Sequence, residues 1–257
     1  MISANTLFHF TKSLENIKNI LTNNFSPRYC LERFDFISSD EKLELAIPMV
    51  CFCDIPLSQI SDHVCTYGDY AIGLKKEWAI INGISPVFYL YKESRTNKTL
   101  NGFFVNSARM DRVKQILKND TSIPATLDFF EFLFYCKIYK GKMWREGKII
   151  GNITFYNERE WRFVPNIHEL EIINPRLIIN KKEYDDFQKR EELNNQLTNF
   201  QIRFTPKDIK YIIISKETER IEMVRMIEQI KGNDFSLNDL KELNSKIISV
   251  EQIKDDF

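Results

Sequence analysis

Along this chain apolar residues recur at two spacings, every second residue in short runs and every third or fourth in longer ones. The two periods predict strands and helices respectively. Thr6-Leu7-Phe8-His9-Phe10-Thr11 reads as a short strand that places His9 and Thr11 on one face. Ser13 is positioned to cap a helix from Leu14 to about Asn24, with Leu14, Ile17, Ile20 and Leu21 on one stripe. Asn23-Asn24 and Ser26-Pro27 end it. Arg28 to Ala46 is polar and mixed, and is expected to be a long loop, with or without a helical turn, of the kind that covers a site. Ile47 to Ile55 predicts a strand closed by Pro56, and a short helix or turn follows from Pro56 to His63. Tyr67 to Leu74 reads as a turn feeding a strand, Lys75 to Ala79 as a short helix, and Pro86 to Tyr91 as a further strand.

From Gly102 the period turns helical. Met110, Val113, Ile116 and Leu117 form one stripe, and Pro124 to Ile138 forms a second, rich in phenylalanine, that is expected in a core. Lys140 to Asn152 predicts a loop or hairpin, and Leu177 to Asn180 a strand. Lys181 to Asn199 interleaves acidic and basic residues and predicts one solvated helix. Ile209 to Ser215 reads as a buried strand. Glu217 to Gln229 reads as an amphipathic helix with Gly232 past its end, and Leu237 to Leu243 as one more helix. Ser249-Val250-Glu251-Gln252 resembles a capping box.

The stretch between the hairpin and Leu177 carries the densest chemistry. In Glu158-Arg159-Glu160-Trp161-Arg162-Phe163-Val164, strand alternation sets Glu158, Glu160, Arg162 and Val164 on one side and Arg159, Trp161 and Phe163 on the other. The Trp161 side is expected on the core, with the Arg159 stem along apolar surface. That leaves two carboxylates two residues apart beside an arginine. A solvated strand edge explains them as well as a pair aimed into a cleft.

Composition narrows the classes. The chain has 257 residues, 43% of them hydrophobic, enough for a sizeable core. Thirty-six basic residues balance thirty-six acidic ones, so net charge carries no signature of a nucleic-acid or membrane binder, though a local basic groove is compatible with that balance. No apolar run approaches the length of about 18 residues that a spanning helix needs, and an unexported, cytoplasmic protein without membrane contact is expected. The cysteines at 30, 51, 53, 65 and 136 are odd in number and lack a second ligand pair, so reduced core thiols are expected. Neither His63 nor His168 has a second His near it in sequence, and no metal is expected. Neither a Gly-x-Gly-x-x-Gly nor a Walker loop occurs. Without repeats or a Pro- or Ser-rich linker, one α+β domain over residues 1–257 is expected.

Four stretches together resemble known families. Leu7-Phe8-His9-Phe10-Thr11, with Asn16-Ile17 and Ile20-Leu21, resembles the opening of DarT-like ADP-ribosyltransferases. Val50-Cys51-Phe52-Cys53-Asp54-Ile55-Pro56-Leu57, followed by Tyr67-Gly68 and Tyr70 to Leu74, resembles their second strand region, and Glu158 to Arg162 their Glu-x-Glu element. Phe204-x-Pro206-x-Asp208-Ile209, Ile213-Ile214 and Lys246 to Phe257 are similar to AbiGi-type abortive-infection proteins, as is the order of motifs over nearly the full chain.

The first resemblance implies an ADP-ribosyltransferase-like split β-sheet core and transfer of ADP-ribose from NAD, as substrate, to a nucleic acid or protein. That reaction passes through an oxocarbenium-like state that a fixed carboxylate stabilises. It implies Glu160 as the catalytic glutamate and Glu158 as the residue that steers or deprotonates the acceptor, the two exchanging roles if the register slips. It also implies His9 and Thr11 on the ribose and carboxamide, Tyr67 and Tyr70 stacked on the nicotinamide, and Arg28 on the pyrophosphate. Each also has an unfunctional reading: a satisfied core histidine, turn tyrosines, an exposed loop arginine. The AbiGi resemblance implies the competing class, since such proteins are labelled phage-resistance antitoxins. A non-catalytic relative would bind a cognate toxin or regulator, with the charged helix from Lys181 and the Phe129–Tyr135 segment as contact surfaces. A protein that senses a nucleotide without turning it over is a third reading.

Overall fold

A computed structural model describes residues 4–34, 43–105, 131–145, 148–166, 176–232 and 234–256. Met110, Val113, Ile116, Leu117, Phe129, Phe130 and His168 lie outside them. The first half holds β1 (Thr6–Thr11), α1 (Leu14–Asn23), β2 (Arg28–Arg33), β3 (Glu44–Cys53), α2 (Ser61–Tyr67), β4 (Tyr70–Lys75), α3 (Lys76–Ile81), β5 (Ser85–Pro86), β6 (Phe88–Leu90) and α4 (Arg95–Val105). The second holds β7 (Cys136–Ile138), β8 (Lys140–Arg145), β9 (Lys148–Thr154), β10 (Glu160–Phe163), β11 (Ile179–Asn180), α5 (Lys181–Asp185), α6 (Phe187–Asn195), β12 (Ile209–Ile214), α7 (Arg220–Lys231), α8 (Leu237–Asn244), β13 (Ile247–Ser249) and α9 (Val250–Asp256). The architecture is mixed α+β with a multi-stranded sheet. Among the described residues no helix is long and apolar enough to cross a membrane.

Two compact units divide the chain. The first comprises Met1–Ser26, Cys51–Ser85 and Gln201–Phe257. Here β1 and β4 pair antiparallel along their whole length, from Thr6 opposite Lys75 to Thr11 opposite Tyr70. β12 continues antiparallel to β4, and β13 closes the row parallel to β12. A parallel neighbour needs a crossover, which α7 and α8 supply. Alternation decides both faces. Phe8, Ala71 and Ile213 meet Ile55, Ile60, Val64, Val250 and Ile253 on one side. Leu7, Ile72, Leu74 and Ile212 alternate with them and are equally buried on the other, the face on which α1 packs against β4 and α7.

Local chemistry matches the expected ends. The Ser13 side chain accepts from the Asn16 N–H at 3.3 Å to cap α1, and Ser249 and Gln252 exchange bonds of 3.1 and 3.2 Å at the start of α9. One boundary differs: Tyr67 ends α2 instead of starting a turn, and Gly68, at φ 121°, makes the exit into β4.

The second unit comprises Pro27–Val50 and Pro86–Phe200. The expected loop from Arg28 to Ala46 is corrected, because Arg28–Arg33 is a strand paired antiparallel with β3, from Arg28 opposite Met49 to Arg33 opposite Glu44. Its polar sequence hid it, since Tyr29 alone among its six residues is fully buried. On β3's other side β11 sets Ile179 opposite Ala46. Tyr29, Ala46, Ile179, Leu193, Leu197 and Phe200 pack together there. The expected single helix from Lys181 to Asn199 is broken at Asp186, whose side chain accepts from the Lys189 N–H at 3.1 Å and caps a new helix. The helical stripe expected through Ile138 also fails at its end. Cys136–Ile138 is β7, parallel to β6. Of the loop or hairpin expected from Lys140 to Asn152, the structure has the hairpin, β8 with β9, extending to Thr154.

Candidate functional site

Glu158 and Glu160 converge, though by a different geometry from a continuous strand. Phe155–Glu158 is a 3-10 turn, Arg159 takes a left-handed conformation at φ 44°, and β10 begins only at Glu160. β10 lies between β3 and β5 in the sheet order, and the Val87 N–H donates to the Glu160 carbonyl at 3.0 Å. The burial of β10 inverts the expectation that Trp161 faces the core. Glu160, Arg162 and Val164 are the buried set, Arg162 at 0% exposure, while Arg159, Trp161 and Phe163 are half-buried.

A charged face survives burial only if each charge is matched. The match comes from distant residues. The Lys137 ammonium, on β7, donates to Glu158 Oε2 at 2.7 Å and to Glu160 Oε2 at 2.6 Å. Arg162 Nε donates to Glu160 Oε1 at 2.6 Å, its Nη1 to the Phe134 carbonyl at 2.8 Å, and its Nη2 to Glu32 Oε1 at 2.8 Å. Among the described residues three carboxylates thus meet two cations. Tyr89 closes the set, its hydroxyl oxygen accepting from the Glu160 N–H at 2.8 Å.

Each titration follows from this packing. Burial alone would raise the Glu160 carboxyl, but Arg162 and Lys137 together hold it well below the ordinary carboxylate range. Burial would likewise depress Lys137, yet Glu160, Glu32 and Glu158 carry it well above its usual value. Glu32 moves the other way: burial raises it and outweighs the attraction of Arg162 and Lys137. Both Glu160 oxygens are engaged, so the pair forms a closed ionic lock; a carboxylate facing a substrate would first have to leave a cation.

The other candidates have local partners too. His9 and Thr11 share the α1 face of β1, as expected. His9 Nδ1 lies 2.8 Å from the Cys51 carbonyl, and because a carbonyl only accepts, Nδ1 carries the proton. Its ring stands edge-on to Phe25 and Phe52 at 5.2 and 5.7 Å. Burial lowers its pKa despite that bond. Thr11 Oγ1 accepts from Asn16 Nδ2 at 2.6 Å, which gives the Thr-to-Asn spacing a structural cause. Tyr70, opposite Thr11, donates its hydroxyl to Glu219 at 2.7 Å, and burial with that carboxylate pushes it up to about 12. Tyr67 lies with its ring 6.0 Å from that of His63. Arg28 Nη2 donates to both oxygens of Glu191, at 2.5 and 2.7 Å, on an exposed surface. His9, Thr11, Tyr67 and Tyr70 belong to the first unit, and Arg28, Glu158 and Glu160 to the second. Within the second, Arg28 binds Glu191 while the two glutamates bind Lys137. No group of three His, Cys, Asp or Glu suited to a metal occurs among the described residues, and all five cysteines are free thiols.

Sequence reasoning missed Lys137, Glu32 and Tyr89. Lys137 left one signal: a lysine inside the apolar run from Phe132 to Tyr139 requires a counter-charge if the run is buried.

Comparison with known proteins gives the family of the chain. Residues 23–215 match a family described as "Putative abortive phage resistance protein AbiGi, antitoxin". The chain belongs to the AbiGi family of abortive phage resistance proteins. It is 30% identical over 251 residues to the "Abortive phage resistance protein AbiGi" of Lactococcus lactis subsp. cremoris, a match covering 91% of this chain and 99% of that protein. No solved structure matches.

Proposed function

We propose that this chain is the antitoxin-type component of a cytoplasmic abortive-infection system and acts by binding a cognate toxin protein. The observation that carries the reading is the ionic lock: Glu160 has both oxygens bound by Arg162 and Lys137, and Glu158 shares the same lysine. The description of the matching family supports the same class. A contact surface of suitable chemistry begins α6, where Phe187 is 66% exposed and Arg190 stacks between it and Tyr184, 5.5 and 4.7 Å from their ring centres. Exposed aromatics beside arginine are the residues that dominate protein interfaces. Expression tests the proposal. The chain alone leaves growth unchanged and restores growth to cells expressing its toxin, and Phe187→Asp weakens that rescue. Growth arrest by this chain alone would overturn it.

A second reading takes the same lock the other way: two buried carboxylates meet at a single ammonium, a pairing that could stabilise an oxocarbenium-like centre once opened. On it the chain is an ADP-ribosyltransferase with the corresponding split-sheet fold, His9, Thr11, Arg28, Tyr67 and Tyr70 hold NAD, and Glu160 catalyses transfer to a nucleic acid or protein. Labelled NAD incubated with the protein and cell extract decides it. Label in protein, RNA or DNA that Glu160→Gln abolishes supports transfer; no label in any fraction removes it.

A further inference from the structure

The parallel pairing of β6 with β7 sets Tyr89 opposite Lys137 and Leu90 opposite Ile138. The Tyr139 N–H then donates to the Leu90 carbonyl at 2.8 Å, so the first residues beyond the two strands, Tyr91 and Tyr139, stand side by side with ring centres 6.1 Å apart. The turn at Phe155–Glu158 lays Tyr156 over Tyr139 at 5.5 Å with planes 29° apart, and sets its other side against Tyr89 at 5.2 Å. Four tyrosines from three chain segments therefore form one continuous row. Tyr91 remains 55% exposed and Tyr156 47%. Rings held in contact yet open to solvent are an unusual use of apolar area, and such patches mark binding surfaces.

The charge around this row departs from that of the chain. Across 36 basic and 36 acidic residues the whole is neutral, yet residues 86–105, 131–145 and 148–166 contain ten basic and four acidic residues. Glu158 and Glu160 on one side, and Lys137 and Arg162 on the other, are bound to one another, which leaves eight basic and two acidic residues in these segments. Lys140 directly follows Tyr139, Lys142 shares its side of β8, and both are exposed. At the far end of the hairpin Arg145 pairs with Lys148 in register, so basic positions continue along its length.

We propose that the Tyr91–Tyr139–Tyr156 row and the Lys140 and Lys142 side of the hairpin bind single-stranded nucleic acid. Unpaired bases stack on exposed aromatic faces without regard to sequence, while lysines neutralise the neighbouring phosphates. A duplex hides its base faces inside the stack and can use only the lysines. An acidic peptide likewise uses the lysines and gains nothing from a ring face. The charge complementarity and the open rings together select the single strand. This surface is distinct from the Phe187 contact, so a failure here leaves the antitoxin proposal standing, and the reverse holds.

Fluorescence anisotropy on the full chain tests it, with fluorescein-labelled 20-nucleotide mixed-sequence single-stranded RNA, the same sequence as single-stranded DNA, and that DNA as a duplex. Both single strands should bind at low salt and weaken as salt rises, and the duplex should bind at least tenfold more weakly. Lys140→Glu with Lys142→Glu should lower affinity and flatten the salt dependence, since about 0.7 of a unit of log–log slope is lost per phosphate contact on a single strand. Tyr156→Ala and Tyr91→Ala should each cost about fivefold or more, as expected for one lost base stack. Tyr156→Phe, which keeps the ring, should bind as the parent does. Unchanged circular dichroism melts show that the variants remain folded. Absence of binding at low salt, duplex binding equal to single-strand binding, tyrosine variants that bind like the parent, or displacement of RNA by equimolar poly-glutamate would each overturn the proposal.

Discussion

Lys137 is the residue on which the ionic lock depends, because its ammonium bridges Glu158 and Glu160. Lys137→Met is expected to cost about 3–5 kcal/mol at neutral pH, since it removes the cation that Glu158 and Glu160 share and leaves them buried without it. The sign of the pH dependence follows from the shifts. Glu160 is lowered from 4.5, so its contribution is complete above that value and is lost as pH falls through its folded pKa. Lys137 is raised from 10.5, so its contribution is complete below that value and is lost as pH rises through its folded pKa. Urea unfolding should therefore show the full cost of Lys137→Met near pH 7, and a smaller one near about pH 4, where the stranded carboxylates take up protons. A cost that stays constant over this range would show that the pairing is not what stabilises the site. His9 gives a second check. Lowered from 6.5 by burial, it contributes stability above that value that is lost as pH falls through its folded pKa. Nitrogen-15 NMR should find it neutral at about pH 6 with the proton on Nδ1. None of this was legible locally. Glu158 and Glu160 stood out as a pair, but strand alternation assigns faces without saying which is buried, and the charges that permit burial come from Glu32 and Lys137.

At the scale of elements, pattern served where a buried stripe coincides with local capping chemistry. β1, α1 with its Ser13 cap, β12 and the Ser249 capping box all have that property. β2 lacks it. Its sequence, Arg28-Tyr29-Cys30-Leu31-Glu32-Arg33, carries little apolar alternation, and its strand character comes from β3 alongside. β7 failed for the opposite reason, since a continuous aromatic run carries no period that separates strand from helix. The turn between α2 and β4 is the most constrained junction. Gly68 has φ 121°, and a Cβ there would lie 2.3 Å from the Thr11 carbonyl oxygen. Both the backbone conformation and the backbone contact exclude a side chain. Gly68→Ala should lose about 2–4 kcal/mol by denaturant titration. Gly83, at φ 71° with nothing within 4 Å of its would-be Cβ, isolates the conformational part, and Gly83→Asn should cost less than about 1 kcal/mol. Equal losses at both positions would mean that the Thr11 contact adds nothing.

For the whole molecule, the path of the chain matters more than its length. The first unit takes three segments and the second two, and the chain passes between them after Ser26, Val50, Ser85 and Phe200. Neither unit is therefore a contiguous piece of sequence, which explains why no linker composition marks a boundary. The second unit gives a direct test, because its longer segment, 86–200, holds most of its elements. That segment lacks Glu32, which Arg162 binds at 2.8 Å. It also lacks Leu45 and Ala46, which β11 pairs with, and Tyr29, whose N–H donates to Asn194 at 2.9 Å and whose ring packs with Ile179, Leu193 and Leu197. Losing them exposes apolar surface and leaves Arg162 buried without one carboxylate, in a piece too small to tolerate much of either loss. Expressed alone, residues 86–200 should show the narrow amide proton dispersion of an unfolded chain. Supplying residues 27–50 as a separate peptide should restore dispersed signals, with the Tyr29 and Ala46 amides slow to exchange. A fragment 86–200 that folds without the peptide would show that the β2–β3 pair is an appendage of the second unit and not part of its core.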